Sequence, residues 1–303
     1  METHASRRRT LLRHLVIPFT VMLGLAVTVL TADAHGVVGQ RTFIEPFITE
    51  DVNPKNEFVI ARPEWDHSRD GDAFSLGFGL EKKLSDNLSL TLDSAWLHVS
   101  PEHGSDASGA DNLGITLKYA FFRSDPHEAI VSAAVESTAP VGVRAAGAEP
   151  DWSFKPFLLY GKGAGDLPDA LAYLRPFAVQ GDAGFEVALD HERTTVLAHN
   201  VAIQYSIPYL QQSVHDFGIP WPLNDLIADV EFNFENGVHP GDRGDNSVIV
   251  TPGIVYMDRW VEIGVAGRFP LNARANDDLG YGVVGIVDLF IDDLLPWTRW
   301  QPF

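Results

Sequence analysis

The sequence contains no cysteine, and that absence excludes disulfide frameworks, thiolate metal centres and cysteine nucleophiles. Positive charge is scarce: 22 Lys and Arg stand against 41 Asp and Glu, a formal charge of −19. A chain of that sign repels phosphate backbones, so a nucleic-acid partner is set aside. Beyond residue 35 there is no apolar run long enough to cross a bilayer as a helix. The zinc-protease helix motif is missing too: His127-Glu128 and His191-Glu192 are followed by Val131 and Thr195 where the second His would stand. Disorder is excluded by composition, since 45% of residues are hydrophobic and 21% charged.

What is present begins with an export address. Arg7, Arg8, Arg9 and Arg13 form a basic region, the run from Leu15 to Leu30 is uncharged, and Ala32-Asp33-Ala34 supplies a small-x-small cleavage pattern. Together they read as a signal peptide over residues 1–34, with an uncleaved anchor as the alternative. Arg8 to Arg13 also approximates a twin-arginine signal, which carries folded proteins and conflicts with the architecture below. The expected division is a signal peptide at 1–34, an N-terminal segment at 35–56, a β-barrel at 57–291 and an aromatic tail at 292–303.

The dominant pattern in the rest has period two. Phe74, Leu76, Phe78 and Leu80 alternate with small or polar residues, and the phase resumes after Ser85-Asp86-Asn87 with Leu88, Leu90, Leu92 and Trp96. The alternation returns at 113–121, 226–234 and 261–269, with weaker runs near 57–66, 129–138, 152–160, 172–188, 196–207, 247–257 and 279–291. Side chains on a strand point alternately to opposite faces, so each run has one greasy face and one small or polar face. The fold expected is all-β: a single antiparallel up-and-down transmembrane β-barrel of about 12 strands, within a range of about 10–14.

Turning the greasy face to lipid rather than to a soluble core rests on three features. Charged residues recur in the middle of the small face. The strands are near ten residues long, against the ~5–6 of soluble sheets. Aromatic residues gather at strand ends, among them Trp65, Trp96, Trp152, Tyr160, Tyr205, Trp260 and Tyr281, as in interfacial girdles.

Several segments carry a likeness. Asp111 to Tyr119, Gly161 to Pro168 with Leu174 to Phe177, Ile207 to Leu210 and Pro252 to Ile254 resemble a family of exported proteobacterial outer-membrane-like β-barrel proteins. That family is itself loosely similar to the outer-membrane group of the MetA pathway of phenol degradation. The likeness spans most of the chain from His35 to Phe290 and rests on structural turns. It implies a location in the outer membrane of a Gram-negative bacterium, insertion by the barrel-assembly machinery, and passage of a small solute, an aromatic one among the candidates. It brings no catalytic residues. The C-terminus departs from the usual assembly signal: Phe303 is terminal, but Gln301 and Arg299 precede it, and Pro296 and Pro302 interrupt a ladder.

Candidate sites are few. If the barrel is open, Asp93, Asp229, Glu231, Glu262 and Asp288, with Lys118 and Arg268, line the lumen and bias it toward cations; if it is packed, conduction is negligible. His103 and Ser105 loosely match the His-x-Ser of outer-membrane phospholipases, in a polar loop. His35, at the expected mature terminus, offers an amine and an imidazole to copper. Asp66, Asp70 and Asp72 offer hard oxygens to calcium without the EF-hand spacing. Ala73 to Gly77 imitates a nucleophile elbow inside a regular strand. Gly161 to Gly165 lacks the phosphate-loop ending and reads as a tight connection before one short helix. Pro208 to Asp225 is too apolar for a free loop and either folds inward as a constriction or lies on the membrane surface. The reading is a channel or facilitator with lipid and a small solute as partners, no cofactor and no enzymatic constellation. A surface lipid-modifying hydrolase and a soluble periplasmic binding protein, with copper at His35, are the alternatives.

Overall fold

The computed structural model describes residues 36–189, 195–238 and 246–298. Two short strands come first, β1 (Val37–Val38) and β2 (Arg41–Thr42), paired with each other only. They are followed by β3 (Glu57–Ser68), β4 (Gly71–Ser85), β5 (Leu88–Pro101), β6 (Ala107–Ala110), β7 (Leu113–Ser124), β8 (Ala129–Ala139), β9 (Ser153–Gly163) and β10 (Phe177–Ala188). The last five are β11 (Val196–Ser206), β12 (Leu226–Gly237), β13 (Asn246–Met257), β14 (Val261–Pro270) and β15 (Tyr281–Phe290).

Every pairing is antiparallel, and each long strand pairs with its sequence neighbours, an up-and-down meander from β3 to β15. The sheet closes where β15 meets β3, from Tyr281 opposite His67 to Phe290 opposite Glu57. Twelve strands therefore form a barrel, with β6 a short flap on the end of β5. All twelve alternating runs of the sequence are strands. The run near 172–188 starts late, because 169–174 is a 3-10 turn and Pro176 has no amide to offer a ladder.

The bulky rows face outward. Phe78 on β4 is 48% exposed and Val265 on β14 is 53% exposed, whereas inward Glu262 and Ala266 on β14 are buried. Two of the register shifts along the sheet re-aim side chains. One between Ala120 and Phe122 turns Phe121 and Phe122 both to the outside. One between Val59 and Arg62 turns Arg62 inward, to Glu45, and leaves Trp65 outside against Tyr281 at 5.5 Å between ring centres. No helix among the described residues is long and apolar enough to cross a membrane.

The lumen is not empty. After β2 the chain enters the barrel, and Phe43, Ile44, Phe47 and Val52 are at most 1% exposed. These side chains join two apolar clusters with inward residues of the wall: Phe43 and Val52 with Ile130, Phe157 and Leu159, and Ile44 and Phe47 with Ile227, Val255, Val284 and Ile286. Each such burial is worth about 1.5–3 kcal/mol.

Candidate functional site

An irregular segment inside a barrel carries amides with no strand partner, and buried donors must be satisfied. The wall supplies acceptors. Glu231 on β12 accepts from the amides of Phe47 at 2.6 Å, Ile48 at 3.1 Å and Thr49 at 2.6 Å, and from the Thr49 hydroxyl at 2.7 Å. Glu262 accepts from the Glu45 amide at 3.2 Å, Asp182 from the Glu50 amide at 3.0 Å and Glu81 from the Lys55 amide at 3.1 Å. Wall donors meet the carbonyls: Gln180 donates to Ile44, Ser132 to Val52, and Lys118 to Asn53. The backbone of 44–55 is thus read by side chains as a strand would be read by a neighbouring strand.

Close approach is built into the wall. A Cβ on Gly253 or Gly264 would lie 2.5 or 2.8 Å from the Phe47 ring, so both positions must be glycine while Phe47 is in place.

Lys55 lies in the middle, with its ammonium 2.6 Å from Asp51, 3.4 Å from Glu57 and 3.9 Å from Glu45. These three carboxylates are close enough to one another to hold a metal ion. The ammonium already sits among them, so the cluster is a chelate for Lys55. Burial disfavours the lysine charge, but the three carboxylates outweigh it and hold Lys55 well above its ordinary range. Burial likewise raises Asp51 to about 6, against the opposing pull of Lys55, and raises Glu50.

The segment is latched at the end of the barrel where it enters. Arg41 donates to the carbonyls of Arg175, Pro176 and Phe177 and pairs with Glu128 at 3.4 Å. Its guanidinium lies 4.0 Å from the centre of the Tyr209 ring. The Tyr209 hydroxyl donates to Glu128 at 2.8 Å, and burial, with Glu128 beside it, pushes that hydroxyl up to about 12. Tyr209 belongs to the connection after β11, so the inner end of that apolar segment closes on the latch.

Toward the opposite end the lumen opens into a cavity of about 360 Å³. Its wall carries Glu45, Glu50, Asp51, Glu57, Glu81, Asp93, Asp111, Glu136, Glu149 and Glu186, against Arg62 and Lys118. The result is an acidic vestibule whose floor is the N-terminal segment.

The charged residues picked from the sequence all lie on the inner face but divide by task. Asp93 and Lys118 line the vestibule, Lys118 also binding Glu81 at 3.1 Å. Glu231 and Glu262 hold the segment. Asp229, beside Gln204, and Asp288, opposite Glu262, are buried and line no open space. Arg268 is tied to Glu64, and to Asp66 at 2.6 Å. Asp66, Asp70 and Asp72 do not converge, since Asp66 serves Arg268 and Asp72 pairs with His67 at 2.6 Å. His103 and Ser105 are exposed in the loop after β5, with no hydrogen bond joining them. Ser75 sits in the regular strand β4, and the glycines 161–165 end β9 at a turn where Asp166 binds Lys162 and His127. Low pKa at Asp166 follows from those hydrogen bonds, the one from Lys162 first. His35, and the tail beyond Thr298, lie outside the described residues.

The sequence reading passed over residues 36–56. The available signal was indirect: Glu231, Glu262 and Asp182 sit mid-strand on a small face with too few basic residues to pair them, and acceptors in such numbers imply donors from elsewhere.

No family model and no curated protein matches the sequence. Solved structures do. The chain is similar to an outer-membrane channel from Pseudomonas putida F1, at 13% identity and a TM-score of 0.55, over 82% of this chain and 99% of that one. It is also similar to the NanC porin, at 8% identity and a TM-score of 0.50, over 76% and 98%. At such identities the likeness speaks for the fold. With a closed wall whose apolar side chains stand bare on the outside, that fold is a twelve-stranded antiparallel β-barrel of the outer-membrane type.

Proposed function

We propose that this protein is an outer-membrane channel for a small cationic solute, closed in the present state by residues 36–56. The carrying observation is that a separate length of chain, packed against the wall's inward side chains, fills the lumen. Where the wall could have packed itself shut it places Gly253 and Gly264, with polar Gln180, Asn200, Asn233 and Thr251 nearby on the inner face. Withdrawal of the segment leaves a passage lined by acceptors. The relatives of this fold named above are a channel and a porin, which supports the reading at the level of the fold.

Charge favours a cation, since carboxylates dominate the vestibule and fixed rings of charge control permeation. The resemblance to the MetA-pathway group suggested an aromatic solute. The one aromatic residue bordering the vestibule, Phe78, turns its ring to the outer face of the wall, so stacking on a phenolic ring finds little support there. Residues 1–34 act as the export signal in this reading, and the barrel-assembly machinery inserts the chain.

Planar-bilayer recording of the full mature chain beside a variant lacking 36–56 tests the proposal. The expected result is a small or intermittent conductance for the former and a steady, cation-selective one for the latter. No gain in conductance on deletion, in a variant that still folds as a barrel, or a clear anion preference, overturns it.

A further inference from the structure

We infer that the connection between β11 and β12 is a strap whose outer end docks into the interfacial layer of a phospholipid bilayer while its inner end rests on the latch. The inner end is settled by contacts: Tyr209 and Leu210 are buried, with Tyr209 on Arg41 and Glu128. The outer end goes the other way. Trp221 donates from its indole nitrogen to the Tyr256 hydroxyl at 3.2 Å. On β13, Tyr256 shares its face with Pro252 and Ile254, the exposed row, while Thr251 and Val255 on the other face are buried. Trp221 therefore lies against the outer wall of the barrel, beside its lipid-facing row, and not across the mouth.

Phe217, Trp221 and Leu223 are 54%, 73% and 51% exposed. Three large apolar side chains left bare within seven residues, continuous with a wall that already meets lipid, suit the boundary between acyl chains and headgroups. Trp, with an apolar body and one donor, is the residue most at home there. The chain from Phe217 to Asn224 carries no charge, and the whole connection from Pro208 to Asp225 has no Lys or Arg. Docking thus rests on apolar area and requires no anionic headgroup; a zwitterionic phospholipid surface is the partner.

The absence of native cysteine makes the test clean. Full mature protein carrying Phe217→Cys or Leu223→Cys is labelled with a nitroxide and reconstituted in phosphatidylcholine vesicles, with heat-modifiable gel mobility confirming a folded barrel. Val265→Cys on the outer wall and Ser105→Cys in an exposed loop serve as references. The expected result at both strap positions is oxygen collision severalfold above that of a water-soluble nickel chelate, at a depth within about 5–10 Å of the headgroup boundary, unchanged by added salt. Collision rates at both positions equal to those at Ser105→Cys overturn the inference, as does protection that develops only with anionic lipid. The inference depends on the bilayer location, and a nickel-accessible label at Val265→Cys would count against that location separately.

Discussion

Glu231 and Thr49 meet through two short hydrogen bonds to one carboxylate oxygen, 2.6 Å from the amide and 2.7 Å from the hydroxyl. A wall residue and a lumen residue 182 positions apart are thereby joined at the most densely bonded point of the closed state. Hydrogen bonds to charged groups contribute about 1.5–3 kcal/mol each, and orphaned buried amides add a penalty of similar size. Glu231→Ala is therefore expected to weaken seating of the segment by several kcal/mol. Hydrogen exchange at Phe47, Ile48 and Thr49 reports it, with protection lost there and kept in β12 and β13. Retained protection would mean that the apolar contacts alone seat the segment.

Phe47 and Gly264 give a test that separates the wall from its occupant. A side chain at 264 collides with the Phe47 ring, and overpacking of this kind costs about 1–3 kcal/mol. Gly264→Ala should lower the thermal stability of the intact barrel by clearly more than that of the variant lacking 36–56, where the Phe47 ring is gone and only the end of the Ile286 side chain, 3.1 Å from the new Cβ, must give way. The non-additivity in that cycle measures the contact. Equal costs in both backgrounds would place the strain in the β14 backbone instead.

The barrel was legible in the sequence because period-two alternation is a property of single strands, and strand after strand repeated it. Phe74 to Leu80 and Val261 to Phe269 announce their outward faces with no knowledge of their neighbours. The task of Glu231 was not legible, since a carboxylate on a small face looks the same whether it borders water or bonds an amide from 182 residues away. Phe43, Ile44 and Phe47, three and four residues apart, have the spacing of a helix face yet form no helix, because the wall surrounds the segment and takes its hydrogen bonds. The inward turn at Arg62 was hidden by the bulge at Val59, a phase change that appears only in the register with β4.

Asp51 makes closure depend on pH. Burial raises its carboxyl from the ordinary 3.8 to about 6, so the seated segment binds a proton that the withdrawn segment, in water, has already released. The contribution is fully present below about pH 4 and is lost as pH rises to about 6. Proteolysis of reconstituted protein at the segment should accelerate across that interval and level off above it. Asp51→Asn is expected to flatten this step, while Lys55 keeps Glu57 at 3.4 Å and Glu45 at 3.9 Å as partners. An unchanged step in Asp51→Asn would assign the proton to another group of the cluster.

Selectivity should reside in the vestibule and not in the groups that hold the segment. Asp93 and Glu136 stand on adjoining parts of the cavity wall and make no contact with the backbone of 44–55, so neutralising them leaves closure intact. With 36–56 deleted to secure an open passage, Asp93→Asn combined with Glu136→Gln is expected to move the reversal potential under a potassium chloride gradient toward zero. Glu231→Gln in the same background tests the inner constriction, where a carboxylate freed from Phe47 and Thr49 faces the passage directly. If the vestibule pair leaves the potential unchanged and Glu231→Gln abolishes it, the discriminating ring lies at the seat of the segment; the reverse result assigns it to the vestibule, where the carboxylates that the wall itself carries meet an incoming solute first.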